Sequence, residues 1–279
     1  VDEGVTAGGI QCVAAPVFSV GGCCGAIGVS YLLHGGPDVP LIADLLVGAA
    51  RRVSAQLGGA CYAGLADRRF VINGVEYART LSEIAADAAR RLDPAVLGTG
   101  PVVTAHGDDH QGNVWVLDRP GGAELRLFDP AFAGSDLPAL LAPVKATFHN
   151  VFAHPFWLYH PREAAGRIGV EVSIGDEVIE VSDDAGLPPL RQEIAGSVAG
   201  LVWAPLLREL AGRGELPPDW RATVRAALAC CPLLVTNLLA PARPDPVRYL
   251  GLARTVMAGS EPVNGEDPVS RLLDSVSPA

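Results

Sequence analysis

The chain has 279 residues, 49% of them hydrophobic and 19% charged, and a formal net charge of −10. This composition predicts a packed globular protein of one large domain or two smaller ones, and the acidic balance argues against nucleic-acid binding while allowing a cationic small-molecule substrate. No uninterrupted apolar run reaches the roughly 18 residues of a membrane span and no signal peptide is visible, so we expect a cytoplasmic protein without a membrane partner.

The first third of the chain predicts strands followed by helices. Two β-rich stretches, 10–20 and 25–33, are separated by glycines and predict a hairpin. From Pro40 to Leu57 apolar residues recur at helical spacing, and a second amphipathic helix is predicted over 80–93. Between these helices, the Asn-Gly pair in RRFVINGVEYA predicts a tight hairpin turn.

The rest of the chain is predicted to be mostly helical, around a hairpin that follows a polar loop. The stretch PVVTAHGDDHQGNVWVLD predicts a strand, a loop and then the hairpin Val114–Leu117 with Leu125–Phe128. A further hairpin is expected at 168–182, and the polar last dozen residues are expected to fray. Helices are expected over 137–152, 188–212, 218–230 and 246–258.

The loop from His106 to Asn113 holds the residue types that phosphoryl transfer requires. Such a transfer needs a carboxylate that accepts the proton of the acceptor hydroxyl, together with ligands for Mg²⁺. In the pattern H-G-D-x-x-x-x-N, Asp108 supplies the base and Asn113 supplies a metal ligand. Asp129 follows the hairpin that folds back toward the loop, and its carboxylate completes the hard oxygen set that Mg²⁺ prefers.

HGDDHQGN followed by LFDPAFAG resembles the aminoglycoside phosphotransferase and choline kinase-like family, small-molecule kinases that share the protein-kinase fold. The usual loop of that family reads H-G-D-L-H-x-G-N. The matching residues are His106, Gly107, Asp108, His110, Gly112, Asn113 and Asp129. The chain departs from the pattern at Asp109, where an apolar residue is usual, and the sequence gives no reason for this aspartate.

The resemblance implies an α+β protein-kinase-like fold, with a remnant of the β-rich N-terminal lobe at 1–36 and a mostly helical C-terminal lobe at 37–279. It implies transfer of the γ-phosphoryl group of ATP or GTP to a hydroxyl of a small molecule, such as an aminoglycoside, an amino alcohol or a sugar, with Mg²⁺ as cofactor. The implied roles are base for Asp108, metal ligand for Asn113 and Asp129, and loop scaffold for His106, Gly107, His110 and Gly112. The implied nucleotide hinge is Ser30, Tyr31, Leu32 and Leu33, and the implied acceptor-site residues are Asp136 and Trp157.

The phosphate-contacting lysine that such a kinase carries in its N-terminal lobe has no counterpart here. Lys145 is the only lysine of the chain, and it follows Asp129, in the predicted large lobe. Two explanations stay open: the chain lacks its N-terminal lobe, or it is a degenerate relative that binds a metabolite or a protein without catalysis. We expect truncation, because a lobe lost in evolution would not leave Asp108, Asn113 and Asp129 together.

Two other interpretations of the loop are a zinc hydrolase and a polar turn without chemistry. Histidines four apart, such as His106 and His110, share a metal when they lie on one helix face, but glycines interrupt this segment and no third ligand is placed by spacing. His149 and His154 are flanked by aromatic residues and are expected to pack within helices. The six cysteines form no C-x-x-C pair and are expected to act as buried apolar residues, with a zinc site at Cys23 and Cys24 as the alternative.

Overall fold

The structure is a computed structural model, and it describes residues 2–5, 10–19, 22–32, 65–153, 155–158, 160–235, 238 and 245–278. The chain divides into two compact units, Val1–Asp67 and Arg68–Ala279. The predicted helix from Pro40 to Leu57 and the predicted boundary after residue 36 lie outside the described residues.

The first unit contains a three-stranded antiparallel sheet in the order β1-β2-β3. Its strands are β1 (Asp2–Val5), β2 (Ile10–Ser19) and β3 (Gly22–Leu32). β2 and β3 pair over almost their whole length, which confirms the predicted hairpin. Of the implied hinge, Ser30, Tyr31 and Leu32 lie in β3, and Leu33 lies outside the described residues.

The second unit combines helices with small sheets, in agreement with a mixed α and β class. Its strands are β4 (Arg69–Ile72), β5 (Val75–Tyr77), β6 (Val102–Ala105), β7 (Val114–Arg119), β8 (Gly122–Leu127), β9 (Gly134–Pro138), β10 (Val170–Ile174) and β11 (Val178–Asp183). Its helices are α1 (Leu81–Arg91), α2 (Pro94–Leu97), α3 (Val144–Thr147), α4 (Pro155–Leu158), α5 (Pro161–Ala164), α6 (Pro189–Val198), α7 (Ala204–Gly212), α8 (Trp220–Val235), α9 (Asp245–Gly259) and α10 (Pro268–Val276). A π-helical turn, Phe148–Phe152, continues α3, and a second one, Ala199–Trp203, joins α6 to α7.

Local sequence signals explain the start of this unit. Asn73 and Gly74 connect β4 to β5 with positive φ angles of 51° and 80°, the conformation that favours an Asn-Gly turn. Thr80 and Glu83 form a capping box at the start of α1, and Leu81 and Ile84 bury its apolar side. The predicted hairpin and the predicted helix over 80–93 are therefore confirmed.

The described strands of the second unit form three separate sheets. The larger sheet has the order β10-β11-β4-β5, in which β11 and β4 run parallel and the other neighbours run antiparallel. The hairpin β7-β8 and the insertion β10-β11 match the predicted hairpins. β9 pairs with β6, so the strand before the polar loop lies beside the segment that follows Asp129.

Two predictions at helix ends are wrong. The helix expected over 137–152 begins only at Val144, because residues 134–138 form β9 against the distant strand β6, a pairing that local periodicity does not reveal. The last dozen residues were expected to fray, but they include α10. The Asp267 side chain caps this helix by accepting the backbone NH groups of Val269 and Ser270. The buried apolar residues of the helix recur at helical spacing: Val269, Leu272, Leu273 and Val276.

The long helix Pro189–Gly212 contributes Trp203 to the core. Trp203 is fully buried, and its Nε1 donates a hydrogen bond of 2.9 Å to Thr147 Oγ1, which ties the second π-helical turn to α3. The same helix is also long and apolar enough to cross a membrane, and only 17% of its most apolar 18-residue stretch is buried. A single helix of this kind is a weak indication, because core helices have the same properties.

The buried guanidinium of Arg225 holds the C-terminal helices together. Its Nη2 donates to Ser270 Oγ (2.5 Å) and to a carboxylate oxygen of Glu261 (2.7 Å). Its Nη1 donates to three carbonyl oxygens at the end of α9: Met257, Ala258 and Ser260. A buried polar group without a partner costs more free energy than a typical hydrogen bond contributes. Removing Arg225 would therefore leave these partners unpaired and destabilise the fold.

We therefore predict that Arg225→Met lowers the free energy of unfolding by roughly 2–4 kcal/mol, since it leaves buried carbonyl groups without a donor. The matched control is Arg221→Met, which removes a more exposed arginine that also contacts Glu261 and should cost less than about 1 kcal/mol. Urea unfolding of the three proteins measures the difference. Equal losses for the two variants would contradict the structural role of the buried network.

Candidate functional site

His106 fixes the polar loop between β6 and β7. Its Nε2 lies 2.9 Å from the carbonyl oxygen of Phe128, and its Nδ1 lies 3.3 Å from the backbone nitrogen of Asp108. Since a carbonyl only accepts and a backbone NH only donates, Nε2 carries the proton and Nδ1 accepts. Both ring nitrogens are therefore used in holding the loop, so His106 could ligate a metal only by giving up one of these bonds.

The two matching glycines stand where a side chain would not fit. Gly107 has a φ of 76°, and a Cβ atom built there would lie 2.4 Å from the carbonyl oxygen of Phe132. A Cβ at Gly112 would lie 2.6 Å from the ring of His110, whose Nδ1 accepts the Gly112 backbone NH at 3.0 Å. Position 107 therefore requires glycine in this form of the loop, whereas a side chain at position 112 would displace the His110 ring.

Asp108 and Asn113 are joined directly and both are buried. Asn113 Nδ2 donates a 2.8 Å hydrogen bond to the backbone oxygen of Asp108. The Asn113 backbone NH also bonds to the carbonyl oxygen of His110, at 2.8 Å. The amide nitrogen of Asn113 is engaged by the loop, while its amide oxygen accepts no hydrogen bond among the described residues.

Asp129 is brought to the loop by the residue before it. Phe128 donates its backbone NH to the carbonyl oxygen of Asn113 (3.0 Å) and accepts the His106 bond on its own carbonyl. Asp129 itself is exposed and has a φ of 57°, a left-handed conformation that is uncommon outside glycine. Asn113 and Asp129 are therefore neighbours at the open end of the hairpin, and backbone strain of this kind is often retained at functional sites.

The helical segment of α3 and its π-helical turn contacts the loop at three points. Lys145 Nζ lies 2.5 Å from Asp108 Oδ1. The His149 ring stacks on the ring of His110, with centroids 4.8 Å apart, and Asn150 Oδ1 accepts the backbone NH of Gln111 at 2.9 Å. No motif in the sequence gives these residues a function, although the spacing of four between Lys145 and His149 predicts that they share a helix face.

The imidazole of His149 is held neutral by its surroundings. The residue is 1% exposed, and this burial is the main cause that lowers its pKa to about 4. The nearby His110 ring and the positive charge of Lys145 lower this pKa further, and the negative charge of Asp108 opposes them. His149 therefore contributes an uncharged ring behind the loop at neutral pH.

The remaining predicted residues take different positions. Asp136 is exposed in β9, beside the strand that leads into the loop. Trp157 is 1% exposed and packs edge-on against Phe148, and both line a cavity of about 300 Å³ that also includes Met257. Oδ1 of Asp109 is buried without a hydrogen-bond partner in the described part of the chain, and nothing in the structure explains why an aspartate stands there.

The histidines of the loop do not form a metal cluster with neighbouring ligands. His110 uses Nδ1 to accept the Gly112 NH, and its Nε2 lies 3.4 Å from Asp108 Oδ1. Among the residues that the structure describes, no group of three or more His, Cys, Asp or Glu side chains is placed to hold a metal ion. The side-chain oxygens of Asn113 and Asp129 are donors of a different kind, which could hold Mg²⁺ only together with waters and phosphates.

Comparison with known proteins returns no match, whether against protein-family models, curated proteins or solved structures.

We predict that Gly107→Ala destabilises the protein more than Gly74→Ala does. Both substitutions place a side chain at positive φ, which costs about 1–2 kcal/mol, but only position 107 adds a clash with the backbone of Phe132. A Cβ at Gly74 would have no atom within 4 Å, so it is the matched control. Denaturant unfolding gives both free energies, and equal values would show that the loop relaxes without cost.

We also predict that His149 makes the protein less stable as the pH falls. Its folded-state pKa of about 4 lies below the ordinary value of 6.5, so between these two pH values the unfolded chain binds a proton that the folded chain excludes. The free energy of unfolding should fall with decreasing pH in this window, by at most about 1.4 kcal/mol per unit from this group. His149→Gln should reduce that slope in urea titrations between pH 6.5 and 4, and an unchanged slope would contradict the assignment.

Proposed function

We propose that the chain is an ATP- or GTP-dependent phosphotransferase that acts on a hydroxyl group of a small molecule. The observation that carries this proposal is the hydrogen-bonded closure of loop 106–113 onto Phe128. This closure groups a buried carboxylate, Asp108, with two oxygen side chains, those of Asn113 and Asp129. The family resemblance of these residues supports the same activity, and a protein-kinase-like fold is part of the proposal.

Asp108 is the base in this proposal. Its side chain is 9% exposed, which leaves an edge for an acceptor hydroxyl while limiting water around the carboxylate. A general base acts when it lies within hydrogen-bond reach of the proton that it removes. The backbone of Asp108 is fixed on both sides, by His106 and by Asn113, so the carboxylate is held ready for this contact.

Asn113 and Asp129 fit Mg²⁺ by the chemistry of their donors. The amide nitrogen of Asn113 is bound to the loop, which leaves its oxygen for a ligand, and Asp129 adds a carboxylate at the adjacent exposed position. These are the hard oxygen donors that Mg²⁺ prefers. When bound there with a nucleotide, the ion would neutralise charge on the phosphate oxygens.

The proposed reaction is an in-line displacement. The acceptor oxygen forms a bond to the γ-phosphorus, the bond from that phosphorus to the β–γ bridging oxygen breaks, and the nucleoside diphosphate leaves. The hydroxyl proton passes to the Asp108 carboxylate. In this proposal Asp136 borders the acceptor, and the protein acts in the cytoplasm.

We predict that Asp108→Ala lowers the rate of Mg²⁺-dependent transfer from γ-³²P-labelled ATP or GTP by about 10²–10⁴-fold, the usual contribution of a general base. The full-length gene product is assayed against a panel of amino alcohols, sugars and aminoglycosides. Asp118→Ala is the matched control, since it removes an exposed carboxylate from β7 of the same hairpin. Circular dichroism verifies that both variants fold.

Calorimetry supplies a second test of the same proposal. Nucleotide binding to the full-length protein should require Mg²⁺, and Asn113→Ala and Asp129→Ala should each weaken it. A protein that folds but neither binds Mg²⁺-nucleotide nor transfers phosphate to any acceptor or to water would refute the proposed function.

A further inference from the structure

The only lysine of the chain ends on the carboxylate proposed as the base. Lys145 Nζ lies 2.5 Å from Asp108 Oδ1 and forms an ion pair with it. His110 is the other group near this oxygen, at 3.4 Å, and it faces the carboxylate with a ring that already accepts a hydrogen bond on Nδ1. Lys145 is therefore the permanent positive charge in contact with Asp108 among the described residues.

Lys145 is more exposed than an ion-pair partner that only stabilises the core would be. Its side chain is 33% exposed, whereas that of Asp108 is 9% exposed, so the ammonium lies at the edge of the site and not within the core. Nζ also lies 5.6 Å from the ring centroid of Phe132, close enough for a cation–π contact. Lys145 thus lies between Asp108 and the Phe132 ring, and its side chain stays accessible to a ligand.

A cation at this point would favour phosphoryl transfer at Asp108, in addition to the charge that Mg²⁺ supplies. An acceptor oxygen bound to the carboxylate lies about 2.6–3.2 Å from it, and the attacked phosphorus lies about 3–3.5 Å beyond that oxygen. The oxygens of the transferring group are negative and would approach a buried negative carboxylate. A cation that contacts both groups offsets their repulsion, and preorganised charge of this kind is a large part of catalysis in such sites.

We propose that Lys145 is a catalytic residue that contacts the transferring γ-phosphoryl group and holds it against the hydroxyl bound by Asp108. The inference rests on the proposed function. It gives a phosphate-contacting role to a lysine of the second unit, whereas the resemblance places such a lysine in the N-terminal lobe. The bonds change as in the proposed reaction: the acceptor oxygen binds phosphorus, the nucleoside diphosphate leaves, and the proton passes to Asp108. Lys145 keeps its own proton throughout and donates hydrogen bonds to the phosphoryl oxygens.

The first experiment separates turnover from binding in Lys145→Met and Lys145→Arg. Using Mg²⁺-ATP and an acceptor found in the screen above, Lys145→Met should lower kcat by about 10²–10³-fold, with less than a threefold change in the KM of the acceptor. Lys145→Arg keeps the charge and should recover at least tenfold of that loss. Arg126→Met, which removes an exposed cation from β8, is the matched control and should leave kcat unchanged.

The second experiment uses binding alone. Magnesium, ADP and aluminium fluoride together imitate the transferring phosphoryl group, whereas Mg²⁺-ADP lacks it. By calorimetry, Lys145→Met should weaken binding of the fluoride complex at least tenfold while changing the affinity for Mg²⁺-ADP by less than threefold. A residue with only a structural role would affect both ligands alike.

The outcomes distinguish this inference from the function on which it rests. A folded wild-type protein without Mg²⁺-dependent transfer refutes both proposals. An active wild-type protein with an equally active or faster Lys145→Met variant refutes the role of Lys145 and leaves the function standing. Loss of activity in both lysine variants, with lower melting temperatures and no selective effect on the fluoride complex, also overturns the inference and makes Lys145 a structural residue.

Discussion

The geometry of the candidate site depends on how Phe128 is bound through its backbone. Its NH donates to Asn113 and its carbonyl oxygen accepts from His106, so one residue of the returning strand closes both ends of the polar loop. If either bond were missing, Asp129 would no longer be tied to the position of Asn113. The scaffold is therefore made of an imidazole and peptide groups, and the carboxylates of Asp108 and Asp129 take no part in it.

Much of the secondary structure could be predicted because its causes are local. The turn at Asn73 and Gly74, the capping box of α1 and the glycine-separated strands β2 and β3 each follow from a few neighbouring residues. β9 could not be predicted in this way, because its strand character comes from pairing with the distant strand β6, for example Val103 with Leu137. The helix α10 has an apolar periodicity that is visible in the sequence, but the polar character of the last dozen residues led to the expectation of a frayed terminus.

The same distinction applies to the candidate site. Asp108, Asn113 and Asp129 were identified from spacing because all three belong to one loop and the hairpin that follows it. Lys145 and His149 were not identified, since a helix beyond the hairpin brings them to the loop by packing. The π-helical turn that begins at Phe148 is also invisible to a pattern search, although such turns often occur at functional sites. A single lysine in a chain that otherwise uses arginine was the available signal.

That composition has a practical consequence for chemistry on the protein. The chain carries one side-chain amine, and this amine lies against Asp108. Reagents that acylate or reductively alkylate amines therefore have one lysine target in this chain. Acylation there removes the charge beside the carboxylate, whereas reductive alkylation keeps the charge and enlarges the group that carries it. A fluorophore or an isotope label can thus be placed at the centre of the candidate site without changing the amino-acid sequence, apart from labelling at the amino terminus.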